Sequence, residues 1–396
     1  MRLSSLAIIW TTGIAIFSMF FGSGNVVFPL LLGANAGNQI TWALFGLTIT
    51  AVGAPLVGLL GSVLFRGDCK QFFYRIGTGP GYVAVMLILA LLGPFGVMPR
   101  CFIVAYGAIA PYLPELSLLV FSIIAGLLTL LLIARRDYIL PVLGYFLSPV
   151  LILSLIVIMI TGVVKSDTLL VAPLSSFMAI KEGLVVGYDT MDLLASIIFS
   201  VSIWLLLQEK LNIKDATDIK KKLIPTYVWA SIVGGGLLGL VYVGLSLSAA
   251  LHAKALVNSA PEQVLATLAI YLLGPKLAAV ANIAIVLACL TTVMSLAVAV
   301  VDVIHVEVSN TRFGKKLSKS YGWIMLVTIA ITVVFSNLGF SGIMAFLHPI
   351  MAVCYPAIIV LTICNILFKL YGFTYVKVPV YATFLVTLLY KILSSS

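Results

Sequence analysis

Long runs of apolar residues, separated by short polar segments, fill this chain from end to end. Roughly 20 apolar residues are enough for a helix to cross a bilayer. The pattern therefore predicts an all-α polytopic membrane protein with about eleven transmembrane helices, at Leu6–Leu32, Ile40–Phe65, Tyr82–Ala110, Leu116–Ala134, Ile139–Val164, Glu182–Leu207, Leu223–Ala250, Leu277–Ile304, Gly322–Asn337, Ile343–Phe368 and Val378–Leu393. The polar segments are too short for a soluble domain, so residues 1–396 are predicted to form one transmembrane domain.

The first predicted span has a centre that is unfavourable for a helix. Within the stretch FSMFFGSGNVVFP, residues 17–29, stand Gly22, Ser23, Gly24 and Asn25. Each glycine costs a helix about 1 kcal/mol relative to alanine. Non-helical backbone at this depth is tolerated only where protein buries it or where it lines a cavity. We therefore predict a break that forms a binding site, and a glycine-rich helix packed against a neighbour is the alternative.

The sixth predicted span carries a second interruption, GYDTMD, at residues 187–192. An aspartate at the centre of a membrane helix costs about 2.5–3.5 kcal/mol on insertion scales, and such residues usually face a bundle interior or an aqueous cavity. The alternative is that the helix begins at Asp189, which would act as its N-cap.

The two interruptions fall at corresponding positions of two halves. Five spans precede the sixth, so the first span of each five-helix half is the interrupted one. This arrangement predicts a 5+5 inverted repeat over residues 6–164 and 176–368, with residues 378–393 forming an extra helix. Interrupted spans at matching repeat positions are a sequence indication of a transporter binding site.

The eighth span places hydroxyl groups on one helix face. In LACLTTVMS, residues 287–295, the spacing of Ala288, Thr291, Thr292 and Ser295 puts them side by side. Two hydroxyls and a carbonyl supply oxygen ligands, which predicts a site for a monovalent cation such as Na⁺ opposite an unwound helix. The alternative is that each hydroxyl only donates to a carbonyl of its own helix.

Composition and charge agree with a membrane protein. The chain is 62% hydrophobic and 9% charged, with three His and five Cys that show no metal-ligand spacing. Lys and Arg collect in cytoplasmic loops. With the N-terminus inside, seventeen of the 23 basic residues fall on the cytoplasmic side and five on the other, and Arg100 lies inside a span. An odd number of spans then places the C-terminus outside. There is no basic run with interleaved aromatic residues, so no nucleic-acid partner is expected.

Several motifs together resemble a known family. FFGSGNVVFP at 20–29, GYDTMD at 187–192, ACLTT at 288–292, NLGF at 337–340 and YP at 355–356 are similar to the signatures of the bacterial branched-chain amino acid:cation symporters. That family is placed in the amino acid–polyamine–organocation superfamily, with the leucine-transporter architecture. The resemblance implies a symporter that imports Leu, Ile or Val with Na⁺ across the bacterial cytoplasmic (inner) membrane, with no other cofactor.

The resemblance also implies which residues bind the cation. The carbonyls of Ser18, Phe21 and Ala288 and the hydroxyls of Thr291 and Thr292 would hold Na⁺. Two departures stand out: the family usually has twelve spans, and its first motif often carries two prolines where this chain has Pro29 followed by Leu30.

A mid-membrane site for a zwitterionic amino acid follows as a hypothesis. Its carboxylate would meet N–H groups at the start of one half-helix, and its ammonium would meet carbonyls at the ends of two others. The substrate-binding residues that we expect are Phe20, Phe21, Gly22, Ser23, Gly24, Asn25, Val104, Gly187, Tyr188, Asp189, Thr190 and Met191.

Other readings remain open on the sequence. A proton on Asp189 or Asp192 would make H⁺ the coupling ion, in a carrier of another neutral amino acid such as Met. Arg100 is expected to pair with one of these carboxylates, or to reach the membrane interface. A membrane enzyme would need clustered nucleophiles or metal ligands, so an enzyme is not expected. A channel would pass currents larger than carrier turnover allows.

Overall fold

A computed structural model describes residues 5–133, 136–166, 168–213, 215–309 and 321–395. Within these ranges the regular secondary structure is helical throughout. Some residues of the predicted charge pattern and span boundaries lie outside the described ranges: Arg2, Ala134, Arg135, Lys214, Arg312, Lys315, Lys316 and Lys319. The orientation of the termini therefore stays a prediction.

The helices of the first half follow the apolar runs. In the described residues they are α1 (Ser5–Phe20), α2 (Ser23–Ala36), α3 (Ile40–Leu47), α4 (Ala54–Val63), α5 (Cys69–Phe73), α6 (Thr78–Leu92), α7 (Val97–Ile109), α8 (Leu118–Ile133) and α9 (Arg136–Val164). A π-helical segment, Thr48–Gly53, joins α3 to α4. Short 3-10 turns lie at Gly37–Gln39 and Tyr74–Ile76.

The second half continues in the same way. Its described helices are α10 (Ser176–Asp189), α11 (Asp192–Leu211), α12 (Ala216–Asp218), α13 (Ile224–Leu251), α14 (Ala253–Leu256), α15 (Val264–Ser309), α16 (Tyr321–Ser336), α17 (Gly339–Tyr371) and α18 (Lys377–Ser395). A π-helical segment precedes α13 at Ile219–Leu223, and a 3-10 turn precedes α15 at Pro261–Gln263. Helix α15 bends at Gly274, which has a positive φ of 76° and directly precedes Pro275.

The architecture confirms the predicted fold class. Every predicted span overlaps helical residues, and six helical stretches of the described chain are long and apolar enough to cross a membrane: Ser23–Val63, Thr78–Ile109, Ser176–Leu211, Ala216–Leu251, Pro261–His305 and Gly339–Tyr371. Shorter apolar helices lie at Ser5–Phe20, Leu118–Ile133, Pro149–Val164 and Tyr321–Ser336. The division into two inverted repeats remains a prediction.

Both predicted helix breaks are present. The first falls at Phe21 and Gly22, between α1 and α2. The second is shorter than predicted, because α10 continues through Asp189 and only Thr190 and Met191 are non-helical. Met191 adopts the left-handed conformation at φ 62°, which a non-glycine residue rarely takes and which stops the helix. The alternative in which the helix begins at Asp189 is wrong.

A third break was not predicted. The third span was expected to run unbroken from Tyr82 to Ala110, but α6 ends at Leu92 and α7 begins at Val97. Between them stands Gly93-Pro94-Phe95-Gly96. Proline has no N–H and its ring clashes with the preceding turn, and a Cβ on Gly96 would lie 2.1 Å from the Leu91 carbonyl oxygen.

Glycines bring the interrupted helices close to their neighbours. A Cβ on Gly183 would lie 2.0 Å from the Ala43 carbonyl oxygen, and one on Gly46 would lie 2.2 Å from the Ile180 carbonyl oxygen. Helices α3 and α10 therefore pack backbone to backbone, as small residues allow in membranes. On α13, a Cβ on Gly234 would lie 2.8 Å from the carbonyl oxygen of Gly13 of α1.

Candidate functional site

The two predicted breaks meet in the interior of the bundle. A Cβ on Gly24, in the first turn of α2, would lie 3.2 Å from the carbonyl oxygen of Thr190 in the second break. A Cβ on Gly22 would lie 3.3 Å from Cγ2 of Thr292 on α15. The first, sixth and eighth predicted spans are therefore brought together, as their sequences indicated.

Asn25 links the two breaks through its side chain. Its Oδ1 accepts a 3.0 Å hydrogen bond from the Gly22 N–H, which has left the helical ladder of α1. Its Nδ2 donates to both carboxylate oxygens of Asp192, at 2.9 and 3.0 Å. The same amide contacts the Tyr242 hydroxyl, which in turn donates to Oδ2 of Asp192. Asn25, Asp192 and Tyr242 thus form a buried polar cluster across α2, α11 and α13.

The breaks orient four half-helix ends toward one place. Asp192 is the first residue of α11, where the helix dipole favours a negative charge. Ser23 is the first residue of α2, so main-chain N–H groups of the first turn are available there. The Ser23 hydroxyl is buried without a hydrogen-bond partner among the described residues, and the weakly polar Cys101 thiol is its neighbour. The N-terminal end of α2 therefore has the groups that bind an anion at a helix N-terminus.

A narrow central cavity lies at the junction of the breaks. Its walls are mostly apolar and come from α1, α2, the α6–α7 break, α11 and α15. The lining residues are Met19, Phe20, Gly22, Ser23, Gly24, Asn25, Leu92, Val97, Thr190, Met191, Asp192, Ala195, Phe199, Thr292 and Leu296. An apolar pocket with a few convergent polar groups is the usual form of a small-molecule site.

Thr292 of α15 faces the first break, and Thr291 directly precedes it on the same helix. The hydroxyls of Thr291 and Thr292 both donate to the Ala288 carbonyl, at 2.8 and 2.9 Å. Each hydroxyl oxygen keeps lone pairs after donating its proton. Each of the two hydroxyls can therefore donate a hydrogen bond to its own helix and still offer its oxygen to a cation.

Arg100 is fully buried on α7, at 0% exposure. Its Nη1 donates to the main-chain carbonyl of Asp189 at 2.9 Å, which is the end of α10. The Asp189 carboxylate instead contacts His348 Nδ1, with distances of 3.0 and 3.2 Å. Arg100 therefore caps α10 through the main chain, whereas the sequence led us to expect an ion pair with a carboxylate.

A second cavity, the vestibule, lies on the other side of Phe28 and Asp189. It is lined by Phe28, Leu31, Leu32, Asn35, Glu182, Val186, Asp189, Pro261, Phe340, Ser341, Met344 and His348. It opens to the protein surface and holds about 800 Å³ of empty space, its mouth included. Its residues belong to α2, α10, α17 and the turn before α15.

Most predicted substrate residues line the central cavity, but five do not. Phe21 stacks on Phe17 with ring centroids 5.2 Å apart. Val104 is buried on α7 one to two turns beyond Val97. Gly187 packs against α3 and its π-helical continuation, since a Cβ there would lie 2.0 Å from the Thr50 hydroxyl. Tyr188 packs on Tyr355 at 4.8 Å, and Asp189 lines the vestibule.

Sequence reasoning missed part of the site. Tyr242 could have been recognised as a polar residue of the site, because a tyrosine hydroxyl in an apolar span needs a hydrogen-bond partner. Leu92 and Val97 reach the cavity only because the third span breaks between them. Gly93, Pro94 and Gly96 were the signal for that break.

Comparison with known proteins shows the family to which the chain belongs. A family model described as "Branched-chain amino acid transport protein" matches residues 6–396. The chain belongs to this family. Its relatives are named as permeases and carriers.

Curated relatives cover most of the chain. It is 28% identical over 371 residues to the branched-chain amino acid permease BraB of Bacillus subtilis, covering 91% of this chain and 80% of that protein. It is 27% identical over 370 residues to the permease BrnQ of the same organism, covering 90% and 81%. It is 28% identical to the branched-chain amino acid transport system 3 carrier protein of Pseudomonas aeruginosa, covering 88% and 78%.

Solved structures with the same fold include variants of a manganese transporter of Eremococcus coleocola. One variant, in which a histidine is replaced by alanine, superposes with a TM-score of 0.56 at 13% identity, covering 98% of this chain and 86% of that one. Another, in which a glutamate is replaced by alanine, gives 0.53 at 14% identity, with the same coverage. At these identities the likeness shows the fold alone. In the described part of this chain, no three His, Cys, Asp or Glu side chains converge as a metal site would require.

Proposed function

We propose that this family member imports branched-chain or other aliphatic amino acids, Leu, Ile or Val, by cation-coupled symport, with Na⁺ as the coupling ion. The mechanism is alternating access around a site at mid-membrane. The observation that carries the proposal is the meeting of the two helix breaks, with their free half-helix ends, at one apolar cavity. Interrupted helices of this kind bind substrate in transporters with inverted repeats.

The half-helix ends match the two charges of an amino acid. The substrate carboxylate meets the N–H groups of Ser23, Gly24 and Asn25 at the positive start of α2. The ammonium meets carbonyls at the negative ends of α1 and α10, near Phe20 and Thr190. The unpartnered Ser23 hydroxyl supports this placement, because a buried polar group normally has a partner.

The apolar walls of the central cavity favour an aliphatic side chain. Phe20, Met191, Phe199 and Leu296 offer no partner for a polar substituent. One methylene more or less in such a pocket changes binding by about 1–3 kcal/mol. We therefore expect Leu, Ile and Val to compete for uptake.

The buried charges support a coupled cation. Among the described residues, the buried Asp, Glu, Lys and Arg side chains are Arg100, Asp189 and Asp192. The Asp189 carboxylate contacts His348, whereas the Asp192 carboxylate is held by the neutral donors Asn25 and Tyr242. A zwitterionic substrate adds no net charge. One monovalent cation would offset the charge of the Asp192 carboxylate, and the carbonyls of Ser18, Phe21 and Ala288 with the hydroxyls of Thr291 and Thr292 are the ligands that we assign to Na⁺.

We assign the protein to the bacterial cytoplasmic membrane, with the N-terminus inside and the C-terminus outside. In that orientation α2, α10 and the start of α17 lie in the outer half. The vestibule then faces the medium, and the central cavity lies between it and the cytoplasm.

Uptake of radiolabelled leucine into proteoliposomes tests the proposal. An inward Na⁺ gradient should drive uptake, and Ile and Val should compete. The double variant Thr291→Ala/Thr292→Ala should lower uptake and raise the Na⁺ concentration required. The matched control is Thr328→Ala/Thr332→Ala on α16, which removes two buried hydroxyls that also donate to their own helix, at 2.8 and 2.9 Å.

Three results would count against this function. Uptake that needs no sodium would remove the ion assignment, as would a Thr291/Thr292 variant with unchanged sodium dependence. Failure to take up any aliphatic amino acid would remove the substrate class.

A proton-coupled carrier of another neutral amino acid, such as Met, is the second candidate. The observation that favours it is the buried Asp192 carboxylate, whose described partners Asn25 and Tyr242 are neutral donors. Asp192→Asn keeps the shape and removes the titratable group. If H⁺ is the coupling ion, a pH gradient alone should drive uptake, and this variant should lose that uptake while retaining substrate exchange.

A further inference from the structure

Two cysteine thiols from different helices meet in the interior of the bundle. Cys101 of α7 and Cys289 of α15 are buried, with side chains that are 0% and 2% exposed. Their sulfur atoms are hydrogen-bonding neighbours. All five cysteines of the chain carry free thiols in this structure. The contact therefore joins two reduced groups, which can share a covalent bond only after oxidation.

Contacts elsewhere on the two helices support this pairing. A Cβ on Gly93, just before α7, would lie 2.9 Å from Cγ2 of Val300 on α15. At the other end of α7, the Asn282 amide of α15 donates to the Tyr112 hydroxyl at 3.4 Å. The two segments therefore run antiparallel, because residue numbers rise along one as they fall along the other. Both cysteines lie between these two contacts, so the packing of the helices brings them to neighbouring levels.

The surroundings of Cys101 suit a reactive thiol. Its sulfur lies beside the main-chain N–H and the hydroxyl of Ser23, which is the first residue of α2. The Ser23 hydroxyl is fully buried and has no hydrogen-bond partner among the described residues, so its proton is available to a sulfur that becomes charged. The thiolate is the nucleophilic form of cysteine, and the N-terminus of a helix favours it. We therefore expect Cys101 to be the member of the pair that attacks an electrophile.

The number of ligands distinguishes a thiol pair from a metal site. Structural zinc takes four protein ligands, mostly Cys and His. Within the ranges that the structure describes, no third His, Cys, Asp or Glu side chain joins the two thiols. A sulfenic acid formed on one thiol condenses with a neighbouring thiol to a disulfide. Two adjacent thiols without a further ligand are therefore better suited to form a disulfide than to bind zinc.

The central cavity gives a small oxidant a route to the pair. Ser23, which contacts Cys101, also lines this cavity. Val97 and Thr292, each one helical turn from one of the two cysteines, line it as well. The thiols therefore lie one side chain away from a space that a molecule as small as hydrogen peroxide can enter.

We propose that Cys101 and Cys289 are a redox-active pair, which a hydroperoxide converts to a disulfide between α7 and α15. In the first step the Cys101 sulfur attacks the O–O bond of the peroxide. Cys101 becomes a sulfenic acid, and an alcohol leaves, or water when the oxidant is hydrogen peroxide. In the second step the Cys289 sulfur attacks the Cys101 sulfur, and the sulfenic hydroxyl leaves as water. The S–S bond forms as the S–O bond breaks.

The electrons and protons of this reaction balance. The two thiols are oxidised by two electrons in total, and one peroxide is reduced. The two thiol protons end in the water or alcohol that is released. Two equivalents of a small thiol reverse the change and become a disulfide themselves. The inference does not depend on which solute or coupling ion the protein carries, because the product is a covalent bond within the chain.

Peptide mapping of the full-length protein in detergent tests for the bond. The purified protein is treated with hydrogen peroxide, the remaining thiols are blocked with N-ethylmaleimide, and the unreduced digest is analysed by mass spectrometry. We expect a species in which the peptide that contains Cys101 is linked to the peptide that contains Cys289. Dithiothreitol added before the maleimide should remove this species and restore alkylation of both cysteines.

Single substitutions separate the roles of the two thiols. In Cys289→Ser the reaction should stop at the sulfenic acid of Cys101, which dimedone traps as a stable thioether. In Cys101→Ser, Cys289 should gain no such label. The control Cys364→Ser removes another buried thiol, on α17, and should form the Cys101–Cys289 bond to the same extent as the unmodified protein.

Three results would overturn the proposal. The first is the absence of the linked peptide after peroxide treatment of the unmodified protein, a measurement that needs no variant to fold. The second is a bond that involves other cysteines, or one that joins two chains and so gives a dimer band on a non-reducing gel. The third is equal dimedone labelling of Cys289 in Cys101→Ser and of Cys101 in Cys289→Ser, which would refute the attack by Cys101.

Discussion

The hydroxyl of Tyr242 is predicted to stabilise the fold by holding the Asp192 carboxylate. Tyr242→Phe removes this one donor and leaves the carboxylate with the Asn25 amide. The same helix offers a matched control in Tyr227, which is equally buried but whose hydroxyl has no partner among the described residues. Both changes delete one buried oxygen atom from α13.

The expected loss of stability in Tyr242→Phe follows from the kind of hydrogen bond that is removed. Neutral interhelical hydrogen bonds in membranes average about 0.6 kcal/mol, and charge-assisted ones are about twice as strong. Hydrogen bonds to charged groups in soluble proteins reach about 1.5–3 kcal/mol. Tyr242→Phe should therefore lower the free energy of unfolding by about 1–3 kcal/mol. Tyr227→Phe should leave it unchanged or raise it, because it removes an unsatisfied polar group.

Equilibrium unfolding in mixed detergent micelles, followed by tryptophan fluorescence, compares the two variants with the unmodified protein. The order of stability is the decisive result. If Tyr242→Phe is as stable as Tyr227→Phe, the Asn25–Asp192–Tyr242 cluster does not stabilise the junction of the breaks, and the reasoning is wrong.

Two further predictions use the same unfolding assay. Gly187→Ala should lower the free energy of unfolding by about 1–3 kcal/mol, because the added methyl group overpacks against Thr50. In the control Gly236→Ala the new Cβ meets nothing within 4 Å, so this variant should be as stable as the unmodified protein or more stable. Equal stability of the two variants would contradict the close packing of α10. His348→Gln should cost less than about 1 kcal/mol, because the His348 side chain is 42% exposed and its pairing with Asp189 is screened by solvent. A larger loss would show that this pair is part of the core.

The sequence alone predicts a helix break where several residues that disfavour a helix stand in a row. Gly22, Ser23, Gly24 and Asn25 disfavour a helix locally, so the first break could be located, but it falls at Phe21 and Gly22 because Ser23, Gly24 and Asn25 form the first turn of α2. The second break was predicted too long, because Gly187 is a packing glycine and belongs to the helix. A glycine looks the same in the sequence whether it ends a helix or admits a neighbouring one.

The third break and the partners of the polar residues were harder to predict. Pro94 and two glycines stand within a run that is apolar overall, and hydropathy counts such residues as ordinary members of the span. The partner of Asp192 is Tyr242, fifty residues away on another helix. Long-range pairing of this kind depends on how the helices rotate and pack, which a single sequence does not encode locally.

Polar residues at a helix break have two kinds of role, and the structure separates them. A break in the membrane exposes main-chain groups that need partners. Asn25 satisfies the Gly22 N–H, the Thr190 hydroxyl donates to the Gly187 carbonyl at 2.9 Å, and Arg100 satisfies the Asp189 carbonyl. Capping thus accounts for much of the polarity that first indicated a binding site. It does not account for the Ser23 hydroxyl or for the second edge of Arg100, which are buried without partners in the described chain. The Ser23 hydroxyl lies at the central cavity, so this cavity has one donor group that the fold leaves for a ligand.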